Sequence, residues 1–150
     1  MAYQIRKWVG IAGGSILVLV AAVVLVKTAS TEPKPMPVEE FGRHVRALRS
    51  IANEIVLFSA QLEQGKLTDS YAKVHCEKLQ EEVRSRRRQL DDPVPPELAE
   101  PHSRAQIIAD ALSASSGELS RHRTNSGEIQ KIRQQAIHLQ QQLGKLEASL

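Results

Sequence analysis

Apolar residues fall into two patterns along the chain. The first is an unbroken run from Val9 to Val26, 18 residues without a charge (VGIAGGSILVLVAAVVLV). A helix of that length spans roughly 27 Å at 1.5 Å per residue, close to the ~30 Å hydrocarbon core of a bilayer. Arg6, Lys7 and Trp8 precede it and Lys27 follows it. This pattern predicts one membrane-spanning helix. In the second pattern, beyond residue 37, apolar residues recur in steps of three and four, the spacing of a helix with one buried face.

Four such helices are predicted. The first runs from Val38 to Gln64 with a stripe of Phe41, Val45, Leu48, Ala52, Ile55, Ser59 and Leu62, widened by Ile51 and Phe58; Gly65 is its stop. The second runs from Asp69 to about Leu90, capped by Thr68, with Tyr71, Val74, Leu79, Val83 and Leu90 as its apolar face. The third is expected near Arg104 to Arg123, because Ser103 and Gln106 match a capping box and Pro101 argues against an earlier start. Its seam is Ala105, Ile108, Leu112, Ser115, Leu119 and His122. The small residues of Ser113–Gly117 are read as a place of close packing, since the seam continues through them. The fourth runs from Ser126 to Ser149 behind an Asn125/Glu128 capping box, with Ile129, Ile132, Ala136, Leu139, Leu143, Leu146 and Leu150 in register. That last seam is coiled-coil-like.

The predicted fold is therefore all-α: one N-terminal transmembrane helix followed by a three- or four-helix water-soluble bundle. Residues 1–8 form a short N-terminal segment, 9–26 the transmembrane helix, 27–37 a proline-rich tether and 38–150 the bundle. The basic residues ahead of the span give a slight positive-inside preference for a cytoplasmic N-terminus and a periplasmic bundle. A cleaved export signal is the competing reading of the first residues. Lys27 stands where such a signal wants a small residue, which favours a retained anchor.

Composition narrows the chemistry. Aromatic residues make up only 3% of the chain, so the core must be aliphatic, and a β-sandwich is disfavoured. A net charge of +3, scattered along the sequence, gives no reason to expect nucleic-acid binding. The single cysteine, Cys76, excludes an internal disulfide framework. Five histidines (His44, His75, His102, His122 and His138) are dispersed, and Glu40 and His44 stand at helical i,i+4 spacing, which could present both toward one metal. No His-Glu-x-x-His, nucleophile-elbow or phosphate-loop pattern occurs, so no catalytic, cofactor-binding or metal-ligating residue is assigned and the chain is not expected to be an enzyme.

Two features suggest contacts with partners. Gly10 and Gly14 form a Gly-x-x-x-Gly spacing inside the apolar run, which lets another membrane helix approach closely. Arg84, Arg86, Arg87 and Arg88 concentrate positive charge near the end of the second helix. They suit its C-terminal dipole and also offer a docking patch for an acidic partner. The expected function is a non-catalytic accessory or scaffold subunit of a complex in the inner membrane. It would bind an integral-membrane protein through the anchor and helical faces, with self-association as a further possibility. The order of one anchor followed by a four-helical domain resembles that of periplasmic metal-sensing proteins. The likeness is one of arrangement, with no ligand motif to carry over, and it implies a membrane-anchored metal or stress sensor as the alternative.

Overall fold

The computed structural model describes residues 34–150, and these form four α-helices joined by short connections. In chain order they are α1 (Val38–Glu63), α2 (Asp69–Gln89), α3 (Ala99–His122) and α4 (Ser126–Ala148), with a 3-10 turn, Pro96–Leu98, leading into α3. The cross-helix pairs fix the topology. Arg49 meets Glu147 while Glu63 meets Arg133, so α1 and α4 run antiparallel. Asp69 meets Arg123 while Arg87 meets Asp110, so α2 and α3 are antiparallel as well. The result is an up-down-up-down bundle. Around its axis the order is α1, α4, α3, α2. The α1–α4 wall is the most extensive and the α1–α2 wall the thinnest of the four.

The helices end where local chemistry stops them. Gly65 takes φ +62°, its N–H bonds the Leu62 carbonyl, and the Lys66 N–H bonds the Gln61 carbonyl. These two bonds are the Schellman closure that glycine permits at a helix end. Thr68 Oγ1 accepts the Tyr71 N–H at the start of α2, and Asn125 Oδ1 accepts the Glu128 N–H at the start of α4, as their cap positions predict.

The third helix corrects its predicted start. It begins at Ala99 and carries Pro101 in its first turn, where the N–H that proline lacks would have no intrahelical partner. Ser103 is not its cap. The Gln106 side chain instead donates to the Leu90 carbonyl at 2.7 Å, and His102 Nε2 lies 2.7 Å from the same oxygen. The end of α2 and the start of α3 are thus fastened at one point.

The core is aliphatic as expected, with Phe41 and Phe58 its only aromatic members among the described residues. The predicted faces of α1 and α4 are buried, save for half-buried Leu62 and exposed Leu150. The face of α2 requires a second correction. Tyr71 and Val74 are exposed, and the buried set is Ala72, Cys76, Leu79 and Val83. Steps of four, three and four connect those positions, so register overrides size at the first two turns. In α3 the helix runs unbroken through Ser113–Gly117. Ser115 and Ser116 are buried, their hydroxyls bonded to the carbonyls of Ala111 and Ser113. A Cβ added at Gly117 would lie 3.0 Å from the Gln80 side-chain amide of α2, which shows how closely the two helices approach.

The structure also corrects the expected membrane architecture. Among the described residues no helix is long and apolar enough to cross a membrane. Against the expected anchored subunit with one inner-membrane pass and a periplasmic domain, what the described residues show is a four-helix all-α bundle closed by its own core and by interhelical ion pairs. The faces of all four helices are spent mainly on one another, so no helix among them retains an apolar circumference for lipid. The Val9–Val26 span and the Gly10/Gly14 spacing lie outside the described residues. Of the tether expected over 27–37, only residues 34–37 lie among the described residues. Met36 is buried, and its N–H donates to the Pro93 carbonyl at 2.8 Å. The chain is therefore fastened to the bundle two residues before α1 begins.

Candidate functional site

The arginines singled out in the sequence are mostly engaged within the bundle. Arg87 reaches Asp110 of α3 at 3.0 Å and also contacts Asp91. Arg88 pairs with Glu81 at 3.0 Å, and Arg86 donates to Gln89 at 3.1 Å. Arg84 is exposed and makes no ion pair among the described residues. Arg87 thus secures the α2–α3 wall, and the run does not present four unpaired charges on one patch.

The histidines are likewise separated by the fold. His75 sits between Phe58 and Tyr71, with ring centroids 4.4 Å and 5.6 Å away, and its Nε2 is 3.2 Å from Glu54. His102 packs at 5.9 Å from Phe41. His138 contacts Gln142 on its own helix at 2.9 Å. His44 is half-buried, and burial holds its pKa below the ordinary value of 6.5, against the opposing pull of Glu40. Among the described residues no three His, Cys, Asp or Glu side chains come together in a group that could hold a metal ion. The anchored-sensor alternative therefore gains no ligand set from the structure. Cys76 lies in the core, where burial pushes its thiol up to about 11. It remains a protonated thiol near neutral pH, poorly suited to nucleophilic chemistry.

The feature best shaped to receive another molecule lies elsewhere. The antiparallel α3–α4 pair brings the first half of α3 beside the last turns of α4, leaving a half-open groove of about 360 Å³. Arg104, Ile107 and Ile108 line it from α3, and Gln142, Lys145 and Leu146 from α4, with Ser149 at the end. Ile108 and Leu146 belong to the core and form its floor, 6% and 5% exposed. Ile107 stands on its lip and is 65% exposed. The two charged lining residues, Arg104 and Lys145, are both cations. Arg104 is held only by Glu100 one turn away on the same helix, at 2.7 Å, both side chains being well exposed. Such a pair contributes little and exchanges readily for another carboxylate.

Sequence reading missed this groove because its lining residues on α3 and α4 stand 34 or more positions apart in the chain. One signal was present. Ile108 sits on the α3 seam, which leaves the adjacent Ile107 about 100° away from it, an aliphatic side chain with no core position to occupy. The groove has an apolar floor, an exposed aliphatic lip and two cations, and no carboxylate, cysteine or histidine lines it. An apolar surface with a few polar groups is the usual make-up of a pocket that receives another molecule. No protein-family model, curated protein or solved structure matches the chain.

Proposed function

We propose that the bundle is a non-catalytic protein-binding module that receives a segment of a partner protein in the α3–α4 groove. The observation that carries this reading is Ile107, a large aliphatic side chain held largely in water on the lip of an apolar cleft. Covering it completes burial that the fold leaves undone and contributes about 1–2 kcal/mol to association. The bundle supplies a rigid support: Ile108 and Leu146, beneath the groove, are packed into the same core as the other helices. A partner therefore meets a preformed surface and loses little free energy ordering it.

The test compares two isoleucine- and valine-to-aspartate variants of the full chain. Ile107 and Val74 are both 65% exposed, but only Ile107 lines the groove. Ile107→Asp is expected to reduce recovery of the native complex about tenfold or more after gentle cross-linking and mass measurement, while Val74→Asp leaves it unchanged. Equal recovery for both variants would sink the proposal.

A further inference from the structure

Building on that reading of the groove, we infer that its occupant is an acidic amphipathic helix that presents aliphatic side chains to Ile107 and Leu146 and carboxylates to Arg104 and Lys145. The charge pattern carries this inference. Both charged side chains lining the groove are positive, and no carboxylate lines it. The positive field also continues beyond the groove. Lys145 lines the α3–α4 groove on one side of α4 and, on the other, a shallower depression shared with Arg49 of α1. That depression adjoins a further one lined by Arg46 and Arg49, with Glu147 of α4 as its one carboxylate. Four cations from three helices, Arg104, Lys145, Arg49 and Arg46, thus flank the last turns of α4.

Carboxylates are already spent there in a way that suits exchange. Glu100 holds Arg104 from the same helix, and Glu147 holds Arg49 at 2.9 Å, with the Arg49 side chain half exposed. An incoming carboxylate that displaces Glu100 from Arg104 replaces an exposed intramolecular pair with an intermolecular one, and Glu100, itself well exposed, stays solvated. The apolar lip selects against a purely anionic chain. A polyanion without aliphatic groups would leave Ile107 in water, whereas an amphipathic helix satisfies the lip and the cations from adjacent faces. The groove is lined over roughly one turn of α3, Arg104 to Ile108, and roughly two turns of α4, Gln142 to Ser149, so it takes one or two anchor side chains of such a helix.

The inference is tested by placing the photo-crosslinking residue p-benzoylphenylalanine at position 107 of the full chain in cells that express it. After irradiation, the cross-linked peptide is sequenced. The expected product joins position 107 to a segment with aliphatic residues at three- and four-residue spacing and an excess of Asp and Glu. Reversal of both cations, Arg104→Glu with Lys145→Glu, is expected to lower the cross-link yield about tenfold. The amide pair Arg104→Gln with Lys145→Gln should lower it less. Both cations are exposed, and retained helicity by circular dichroism confirms that each variant folds. A cross-link to a basic or uncharged segment, or to a second copy of this chain, overturns the acidic-helix occupant while leaving the groove as a binding site. A full yield from the charge-reversed chain does the same. Absence of any protein cross-link from position 107 overturns both the occupant and the groove reading.

Discussion

Gly65 shows how much a single residue settles here. Its φ of +62° is a conformation that a side chain with a Cβ adopts only at a cost, yet nothing crowds the space where a Cβ would sit. Gly65→Ala should therefore destabilise the fold by backbone strain alone, about 1–2 kcal/mol in a urea titration, with no repacking of neighbours. His44 gives a residue-scale effect with a sign. Burial disfavours its imidazolium first, Arg86 and Arg43 add to that, and Glu40 and Asp92 oppose it. Its folded pKa thus lies below the 6.5 of an ordinary histidine, and across the interval between the two values the unfolded chain binds more protons. The stability tied to neutral His44 is complete above about pH 6.5 and is lost as pH falls through the lower, folded value. The urea midpoint of the wild-type chain should drop between about pH 7.5 and about pH 5, and His44→Gln should flatten that drop. The stop at Gly65 was legible because glycine after an apolar stripe has a specific mechanical meaning. The burial of His44 was not, since it depends on what the other helices place over it.

At the scale of elements, the junction between α2 and α3 is held by one carbonyl. Leu90 is fully buried, and its oxygen receives both the Gln106 amide and the His102 ring nitrogen. Removing one partner leaves the other, so Gln106→Ala should cost about 1 kcal/mol in equilibrium unfolding. Combining it with His102→Phe should cost more than the sum of the single changes, because only then is a buried acceptor left unsatisfied. Additive behaviour in that double-mutant cycle would count against the shared-carbonyl account. The sequence misdirected the reading of this junction in an informative way. Ser103 and Gln106 have the spacing of a capping box, but Pro101 is harmless in a first turn, so α3 starts earlier and Gln106 is released for a tertiary bond. The same competition moved the face of α2. Tyr71 and Val74 are the larger apolar residues, yet Ala72 and Cys76 share the register of Leu79 and Val83, and small side chains let neighbouring helices close in. Periodicity was a better guide than size. On α1 and α4, where the large residues and the register coincide, the helices and their buried positions could be read directly, while on α3 the seam was legible but its start and the buried Ala109 and Ser116 were not.

For the whole molecule, a bundle of three or four helices was legible because each helix is too short of apolar surface to stand alone and too rich in it to remain exposed, whereas the membrane-spanning helix expected ahead of it has no counterpart among the described residues. The groove was legible only as a stray isoleucine, since its shape requires knowing which end of α3 lies beside which end of α4. The neighbour order carries one more consequence. The first helix is packed most extensively against the last, and Leu150 Cδ1 lies 3.9 Å from the position a Cβ would take on Gly42. Geometrically the bundle is a ring in which α1 and α4 touch without a covalent link, whereas α1 and α2, its thinnest wall, are joined by the loop through Gly65. Sequence order and spatial order can therefore be uncoupled. A circular permutant that links residue 150 to residue 36 by a short flexible segment and opens the chain between Gln64 and Thr68 should give the same far-ultraviolet circular dichroism and cooperative melting. In that chain the most extensive wall is built from neighbours in sequence, so its average contact is shorter-range and refolding should be faster.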